Sequence, residues 1–325
     1  MRPAALALIL VLALFARQSD SQLTVGFYKG KCGSVDVEAI VARVIAQRFA
    51  TDPTILPALL RLYFHDCFVN GCDASILLDG KNSEKLAGPN QSVRGYDVID
   101  AVKTEVEKSC RGLVSCADII ALATRDAVVL GKGTHYNELT GRRDSRVSSP
   151  ADAQKNLPGP DIPVAQLASR FIRKGLTVSD MVVLLGAHTV GITHCSFIME
   201  RLYDYKNTGQ PDPSLDAALA KTLRQRCPLS ATVDRSVNLD QNNSSSNTMD
   251  KSIYSQLLLK KGILELDQNL ASHFLTRKNV SSLASGAVDF QARFGQAMIK
   301  MGAIQVLTGT KGEIRIKTCR AVNKR

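Results

Sequence analysis

Two side chains that can take part in proton transfer lie four positions apart in this chain, Arg61 and His65. If residues 59–68 are helical, both side chains lie on one face of the helix, one turn apart. A permanent cation beside a group that titrates near neutrality suits proton transfer next to a developing negative charge. Judged by spacing alone, a surface arginine and a half-buried structural histidine explain the pair more simply.

The residues that follow are rich in oxygen ligands. Asp66, Asp73 and Ser75 offer side-chain oxygens within one short segment, with Cys67 and Cys72 between them. Calcium takes about six to eight oxygens, and loop carbonyls could supply the remainder. The spacing is not that of an EF-hand, so composition alone makes calcium plausible without establishing it. A disulfide between the two cysteines would contribute only about 2 kcal/mol through chain entropy, so its use would be to fix the geometry of the helix end.

The segment LLRLYFHDCFVNGCDASILLD, which contains both groups, resembles the distal haem motif of the secreted plant (class III) peroxidases. Further matches extend from about Gln22 to the last cysteine. The resemblance implies a mostly α fold in two lobes, with one haem b between them and two calcium ions flanking it. The distal lobe would carry Arg61 and His65, and the proximal lobe would carry His188.

The elements that must position these residues show a helical period nearly throughout, with no run of alternating strands. An apolar stripe between residues 37 and 45 predicts a first helix, with Ser34 as its N-cap. The second predicted helix carries Arg61, Phe64 and His65. Further helices are predicted after Ser115, which opens a capping-box-like SCAD, after Thr177, which opens TVSDMVVLLGAHTVG, and over residues 290–301.

On the distal side, the resemblance assigns Asn90 of the loop EKLAGPNQSVRG to orient His65. Asn90 would accept a hydrogen bond from one ring nitrogen, which leaves the other nitrogen as the free base. Phe64 would contact the haem, and Glu84 would hold the distal calcium through water. The implied ligands of that calcium are Asp66, Val69, Gly71, Asp73, Ser75 and Glu84.

On the proximal side, LLGAHTVG resembles the family motif LxGxHTxG, which makes His188 the axial ligand of the haem iron. GILELDQ resembles GLLxSDQ, so Asp267 would accept the Nδ1 proton of His188 and make the imidazole electron-rich. Without the resemblance, His188 would be a core histidine and Asp267 a surface carboxylate. The second calcium is expected in a loop two residues longer than usual, with the ligands Thr189, Asp240, Ser245, Thr248 and Asp250.

Two further residues are expected to meet the reducing substrate. Pro158, in NLPGP, resembles the proline that borders the substrate mouth, and Phe197 matches an aromatic residue at the exposed haem edge. Without the resemblance, a rigid linker and ordinary core packing explain them. His194 has no role that the family suggests. Arg142, in GRRD, is expected to pair with Asp118.

The eight cysteines are an even number, which in a secreted chain argues for four disulfides in any of about 105 connectivities. The resemblance implies one set of pairs: Cys32–Cys110, Cys67–Cys72, Cys116–Cys319 and Cys195–Cys227.

The chain begins with Arg2 and an apolar run from residue 4 to residue 15, too short to span a bilayer. Ser19 and Ser21 are small residues at the −3 and −1 positions of a cleavage before Gln22. This pattern predicts a signal peptide over residues 1–21 and a single haem peroxidase domain over residues 22–325. A buried core helix is the alternative. We expect secretion to the cell wall or apoplast, in preference to the vacuole.

The chain carries 41 Lys and Arg against 30 Asp and Glu, a formal net charge of +11. The predicted leader contains two arginines and one aspartate, so its removal leaves about +10. Basic excess suggests contact with a polyanion. No long basic run or nucleic-acid motif is present, so an anionic wall polysaccharide is the expected partner, with solubility alone as an equal explanation. Glycosylation sequons begin at Asn90, Asn242, Asn243 and Asn279, and we expect a glycan at Asn279 but none at Asn90.

The expected function is that of a secreted, monomeric haem peroxidase. It would reduce hydrogen peroxide and oxidise phenolic donors in one-electron steps, with wall phenolics and lignin precursors as the expected donors. The main alternative is a non-catalytic, calcium-stabilised extracellular binding protein on the same fold. A metal phosphohydrolase of the HD type, with His65 and Asp66 as ligands, is disfavoured by the leader, the cysteines and the lack of an upstream histidine.

Overall fold

The computed structural model describes residues 23–242 and 245–324. The predicted signal peptide, residues 1–21, lies outside the described residues, as does Asn243 of the overlapping sequons.

The regular structure of the described residues is almost entirely helical, which confirms the mostly α prediction. Two short antiparallel strand pairs are also present, β1 (Thr24–Val25) with β2 (Leu139–Thr140) and β3 (Ile192–His194) with β4 (Ser236–Asn238). The thirteen α-helices within the described ranges are α1 (Val37–Thr51), α2 (Ile55–Val69), α3 (Tyr96–Ser109), α4 (Cys116–Leu130), α5 (Pro150–Asn156), α6 (Val164–Arg173), α7 (Val178–Leu185), α8 (Met199–Tyr203), α9 (Ala217–Arg226), α10 (Ser252–Leu258), α11 (Glu265–Ser272), α12 (Arg277–Ser285) and α13 (Phe290–Gly302).

Helix α2 is the central element of the fold. Eleven of its fifteen residues are buried, as expected of a helix that is apolar on nearly every face. It packs against α1, α4 and α13. The burial of both faces lets one helix present Arg61 and His65 to one side and Asp66 to another.

Helix ends follow local capping chemistry, with one correction to the sequence prediction. The N-cap of α1 is Asp36, whose side chain accepts from the backbone N–H of Ala39, so the prediction of Ser34 is wrong. Serine and aspartate both cap helices well. Asp36 is the N-cap because it lies three residues before Ala39, the spacing at which a side chain reaches that N–H. Ser115 caps α4 as predicted.

Helix α7 is fixed at both ends. Thr177 and Asp180 form a reciprocal capping box at its start. After Leu185 the chain tightens into a 3₁₀ turn, Gly186–Thr189, which carries His188. A Cβ at residue 186 would lie 2.2 Å from the hydroxyl of Tyr254, so glycine lets this turn approach α10 closely.

Two clusters of buried apolar side chains make up the interior. The larger cluster draws residues from α1 to α7 and from α10 to α13, so the elements that carry His65 and His188 share one continuous core. The smaller cluster packs residues from 195–239 against Ile263 and Leu264. Within the larger cluster, Arg142 is fully buried and pairs with Asp118 at 2.9 Å, as predicted, and with Glu138 at 2.7 Å.

The four disulfides have the pairing that the resemblance implied. They join Cys32 to Cys110, Cys67 to Cys72, Cys116 to Cys319 and Cys195 to Cys227. The third links α4 to the C-terminal tail over a sequence separation of 203 residues. In the described part of the chain, no helix is both long and apolar enough to cross a membrane.

Candidate active site

A single cavity of about 540 Å³ brings together the residues predicted to surround the haem. Its lining includes His65 from α2 and His188 from the 3₁₀ turn after α7, together with the other predicted haem and substrate residues Arg61, Phe64, Pro158 and Phe197. Two imidazoles that lie far apart in the sequence therefore line one cavity.

Hydrogen bonds define the tautomer of His65. Its Nδ1 lies 2.5 Å from Oδ1 of Asn90, and the amide nitrogen of Asn90 donates to the carbonyl of Glu84 at 2.8 Å. Because the amide nitrogen is committed to Glu84, the amide oxygen must accept the Nδ1 proton. Nε2 is then the bare nitrogen, and it accepts from Nε of Arg61 at 3.2 Å.

Electrostatics keep His65 neutral. Burial lowers its pKa, and the cation of Arg61 lowers it further, to about 3, while the hydrogen bond with Asn90 opposes both effects. Arg61 is itself held by the loop that carries Asn90, donating to the carbonyl of Pro89 at 2.8 Å and to the hydroxyl of Ser92 at 3.0 Å. The distal pair is thus a fixed cation beside an unprotonated ring nitrogen.

The proximal histidine has the opposite environment. Nδ1 of His188 lies 2.8 Å and 3.0 Å from the two carboxylate oxygens of Asp267, which is buried. Burial lowers the pKa of His188, but the negative charge and hydrogen bond of Asp267 outweigh this effect and raise it. The bond to Asp267 assigns the Nδ1 proton, so Nε2 is the nitrogen available to a ligand in the cavity.

The mouth of the cavity contains the two residues predicted to meet the substrate. Pro158 and Phe197 both line it, and Phe197 is 54% exposed. Sequence reasoning missed most of the apolar wall, whose members come from distant elements and share no local motif. They include Pro160, Phe171, Ile192, Leu266, Phe294 and Met298.

The predicted distal calcium loop buries several oxygens that lack hydrogen-bond partners. These are one oxygen of Asp66, the hydroxyl of Ser75 and both carboxylate oxygens of Glu84. Burial raises the pKa of Asp66, Asp73 and Glu84, in the last case to about 7, and the neighbouring carboxylates reinforce this rise for Asp66 and Glu84. Buried carboxylates that lie close together repel each other, and a bound cation would offset that repulsion.

The two residues predicted to bind calcium through their carbonyl oxygens, Val69 and Gly71, lie at and just after the end of α2. Val69 is the last helical residue. Gly71 has a φ of +122°, and a Cβ there would lie 2.5 Å from the carbonyl oxygen of Gln305, so only glycine fits. Among described residues, no three His, Cys, Asp or Glu side chains form a metal cluster by themselves. A calcium ion at this loop would therefore need hydroxyl and carbonyl oxygens as well.

The predicted proximal calcium loop brings most of its predicted ligands close together. Thr189 donates to Asp250 at 2.8 Å, and Ser245 donates to Asp240 at 2.7 Å. Ser252, which sequence reasoning missed, joins the two halves by donating to Asp240 at 2.7 Å and lying 3.1 Å from Thr189. Its only sequence signal is its position two residues after Asp250, whose carboxylate accepts its backbone N–H.

Thr248 enters the same loop through its backbone, whose N–H donates to the carbonyl of Ser245 at 2.7 Å.

Comparisons with known proteins agree with this geometry. A family model described as Peroxidase matches residues 41–286. Peroxidase 60 of Arabidopsis thaliana is 52% identical over 319 residues, covering 97% of this chain and 95% of that protein. Peroxidase 57 of Arabidopsis thaliana is 47% identical over 323 residues, covering 99% and 100%. Peroxidase N1 of Nicotiana tabacum is 44% identical over 320 residues, covering 97% and 95%.

The chain therefore belongs to the peroxidase family, and its resemblance to the plant peroxidases is confirmed over nearly its whole length.

Proposed function

We propose that this chain is a haem peroxidase that reduces hydrogen peroxide and oxidises phenolic donors one electron at a time. The observation that carries the proposal is the pair of histidines on one cavity, one neutral beside Arg61 and one bonded to a buried carboxylate. These are the two environments that an acid–base residue and an axial ligand respectively require.

The residues present fit haem b. His188 would bind the iron through Nε2, and Phe64 with the apolar wall would enclose the porphyrin. When bound, the haem supplies the iron redox chemistry on which peroxide reduction and donor oxidation depend. Asp267 orients His188 and strengthens its donor character.

Proton transfer belongs to the distal residues. Nε2 of His65 accepts a proton from hydrogen peroxide, because Asn90 holds the proton on Nδ1 and burial keeps the ring neutral. His65 then returns that proton to the far oxygen, which leaves as water. The guanidinium of Arg61 stabilises the negative charge that develops as the O–O bond breaks.

Two calcium ions are proposed to hold the loops that support these histidines. The unpartnered oxygens of Asp66, Ser75 and Glu84 support the distal site. The convergence of Thr189 with Asp250 supports the proximal one, directly after His188. Each ion would therefore act on the position of the neighbouring histidine, and neither takes part in the reaction.

Donors are proposed to approach at Pro158 and Phe197, where an apolar mouth with an exposed aromatic ring suits small phenols. Their radicals would leave and couple, as expected for wall phenolics and lignin precursors. We further propose a secreted monomer whose basic charge holds it on anionic wall polysaccharide.

A peroxide assay tests the proposal. Haem-loaded protein mixed with hydrogen peroxide and guaiacol is expected to form coloured product with turnover, and the same preparation without peroxide is not. A calcium-stabilised binding protein on this fold would retain pectate in a pull-down yet show no turnover. That result would overturn the enzymatic proposal in favour of the binding alternative.

A further inference from the structure

Helix α2 ends with its last carbonyls directed at the distal calcium loop. The final carbonyls of a helix lack partners within the helix and lie at the negative end of its dipole. No basic residue occurs in the last turn of α2. A positive charge comes instead from the end of another helix. Nζ of Lys174, the C-cap residue of α6, donates to the carbonyl of Val69 at 3.1 Å.

The same ammonium group reaches a third segment. It donates to the side-chain carbonyl of Gln305 at 3.0 Å, in the turn after α13. The backbone carbonyl of Gln305 is the atom that closes on Gly71. Lys174 therefore connects α6 with the end of α2 and with the C-terminal turn. It bonds Val69 directly, and its other partner, Gln305, packs against Gly71. Val69 and Gly71 are the two residues proposed to give carbonyl ligands.

The contact also leads towards the cavity. The Lys174 ammonium lies 6.0 Å from the ring centre of Phe68, and Phe68 stacks on Phe64 with ring centres 4.1 Å apart. Phe64 lines the cavity beside His65. Movement of the end of α2 would thus reach the distal histidine through two packed rings.

We propose that Lys174 is a positioning residue for the distal calcium: it caps α2 from outside the helix and holds the Val69 carbonyl in the orientation that the ion requires. A carbonyl oxygen has two lone pairs, so Val69 can accept from the ammonium and still bind the metal. The inference rests on the proposed distal calcium site and adds a residue that does not itself touch the ion.

Calcium release from the holoenzyme tests it without reference to activity. The protein is mixed with an excess of a fluorescent calcium chelator, and release is followed over time. Asp73→Asn identifies the distal phase, because it weakens a proposed ligand. Lys174→Met keeps the aliphatic stem and removes the donor. We expect it to speed the distal phase by about tenfold or more, since loss of a partner that orients a ligand costs ~10–100-fold in metal affinity.

Two matched variants sharpen the result. Arg173→Met removes the adjacent cation, which is exposed and bonds only Ser169 among the contacts described, and should leave release unchanged. Gln305→Leu removes the acceptor that holds the ammonium and should speed release less than Lys174→Met. Adding Gln305→Leu to Lys174→Met should give no further increase, because both act through one contact.

The outcomes separate the two levels of the argument. Release from Lys174→Met at the wild-type rate, or more slowly, would overturn the positioning role, and slower release would mean that the ammonium chiefly repels the ion. A wild-type protein that retains no calcium, or an Asp73→Asn variant with unchanged release, would overturn the distal site and the inference together. If Lys174→Met fails to fold, the comparison of Gln305→Leu with wild type decides.

Discussion

The environment of each histidine determines what its imidazole can do. His65 and His188 have the same side chain and line the same cavity. Burial and Arg61 lower the pKa of the first, whereas Asp267 raises that of the second against the effect of burial. Groups whose surroundings shift their pKa values in opposite directions divide into acid–base and binding roles, which is the division proposed for these two residues.

Replacing His65 tests its assignment as the residue that accepts the peroxide proton. His65→Leu removes the only bare ring nitrogen proposed to accept the peroxide proton. We expect the rate constant of the reaction with peroxide, measured by stopped-flow absorbance, to fall by at least about 10²–10⁴-fold, the usual loss for a general acid–base group. His135→Leu, at an exposed histidine that does not line the cavity, is the control. An unchanged rate constant for His65→Leu would reject the base assignment.

Contacts between site residues could be predicted from spacing where the partners are close in sequence. For distant partners the prediction depended on the resemblance to the peroxidase family. The spacing of Arg61 and His65 alone predicts a shared helix face, and the structure has it. Nothing local connects His65 to Asn90 or His188 to Asp267, so these contacts were accessible only through family motifs. Ser252 had only its position two residues after Asp250 as a signal. Lys174 had none, because its contacts arise from the packing of separate elements.

At the scale of elements, the ends of helices position the site. The reciprocal cap of α7 fixes where that helix begins, and the turn after it carries His188. Asp180 in this cap also accepts from Nζ of Lys300 on α13 at 2.8 Å. One carboxylate thus joins the start of the proximal helix to the last helix of the chain.

Asp180→Asn tests this link through its pH dependence. Burial raises the pKa of Asp180, but hydrogen bonds from Lys300 and Thr177 outweigh it and lower the folded-state value below 3.8. A carboxyl group whose pKa is lower in the folded chain than in the unfolded chain stabilises the fold at pH values above the unfolded pKa. That stabilisation is lost as the pH falls through the folded pKa. We expect the variant to lose about 1 kcal/mol at neutral pH. The thermal midpoints of wild type and variant, measured from pH 7 downwards, should converge as the carboxyl group becomes protonated. A gap that stays constant with pH would contradict the charge argument.

Element boundaries were predictable wherever one residue has no competitor for the cap. Thr177 and Ser115 are such residues, and both caps were predicted correctly. Ser34 and Asp36 compete before α1, and geometry selected Asp36. The loop over residues 240–250 was less accessible, because no helical or capping pattern in it indicates which of its polar side chains converge.

At the scale of the whole molecule, the cavity exists because distant segments are held together. The disulfide between Cys116 and Cys319 joins α4 to the C-terminal tail. Near that tail, Arg315 is fully buried and donates to the carbonyls of Ala74 and Ser145. The tail therefore packs against the segment that carries Ala74, within the predicted distal calcium loop. The cavity lining likewise comes from segments far apart in the sequence, so the helical pattern predicted the fold class but not that lining.

Removing that disulfide tests the closure. A loop of this length contributes roughly 5 kcal/mol in the chain-entropy model. The Cys116→Ser, Cys319→Ser double variant is therefore expected to lower the thermal midpoint by about 10 °C or more, measured by circular dichroism on oxidised protein. The disulfide between Cys195 and Cys227 closes a separation of only 32 residues. Replacing both of these cysteines with serine should therefore lower the thermal midpoint less. Equal midpoints for wild type and the first variant would contradict the argument.

The visible absorption spectrum of the purified protein loaded with haem, compared with that of His188→Ala, tests most directly whether His188 and the cavity hold haem. We expect one haem per chain with an intense Soret band that changes on addition of peroxide, and loss of stable haem binding in the variant. A wild-type protein that takes up no haem, or a variant with an unaltered Soret band, would contradict the assignment of His188 and the cavity to the haem.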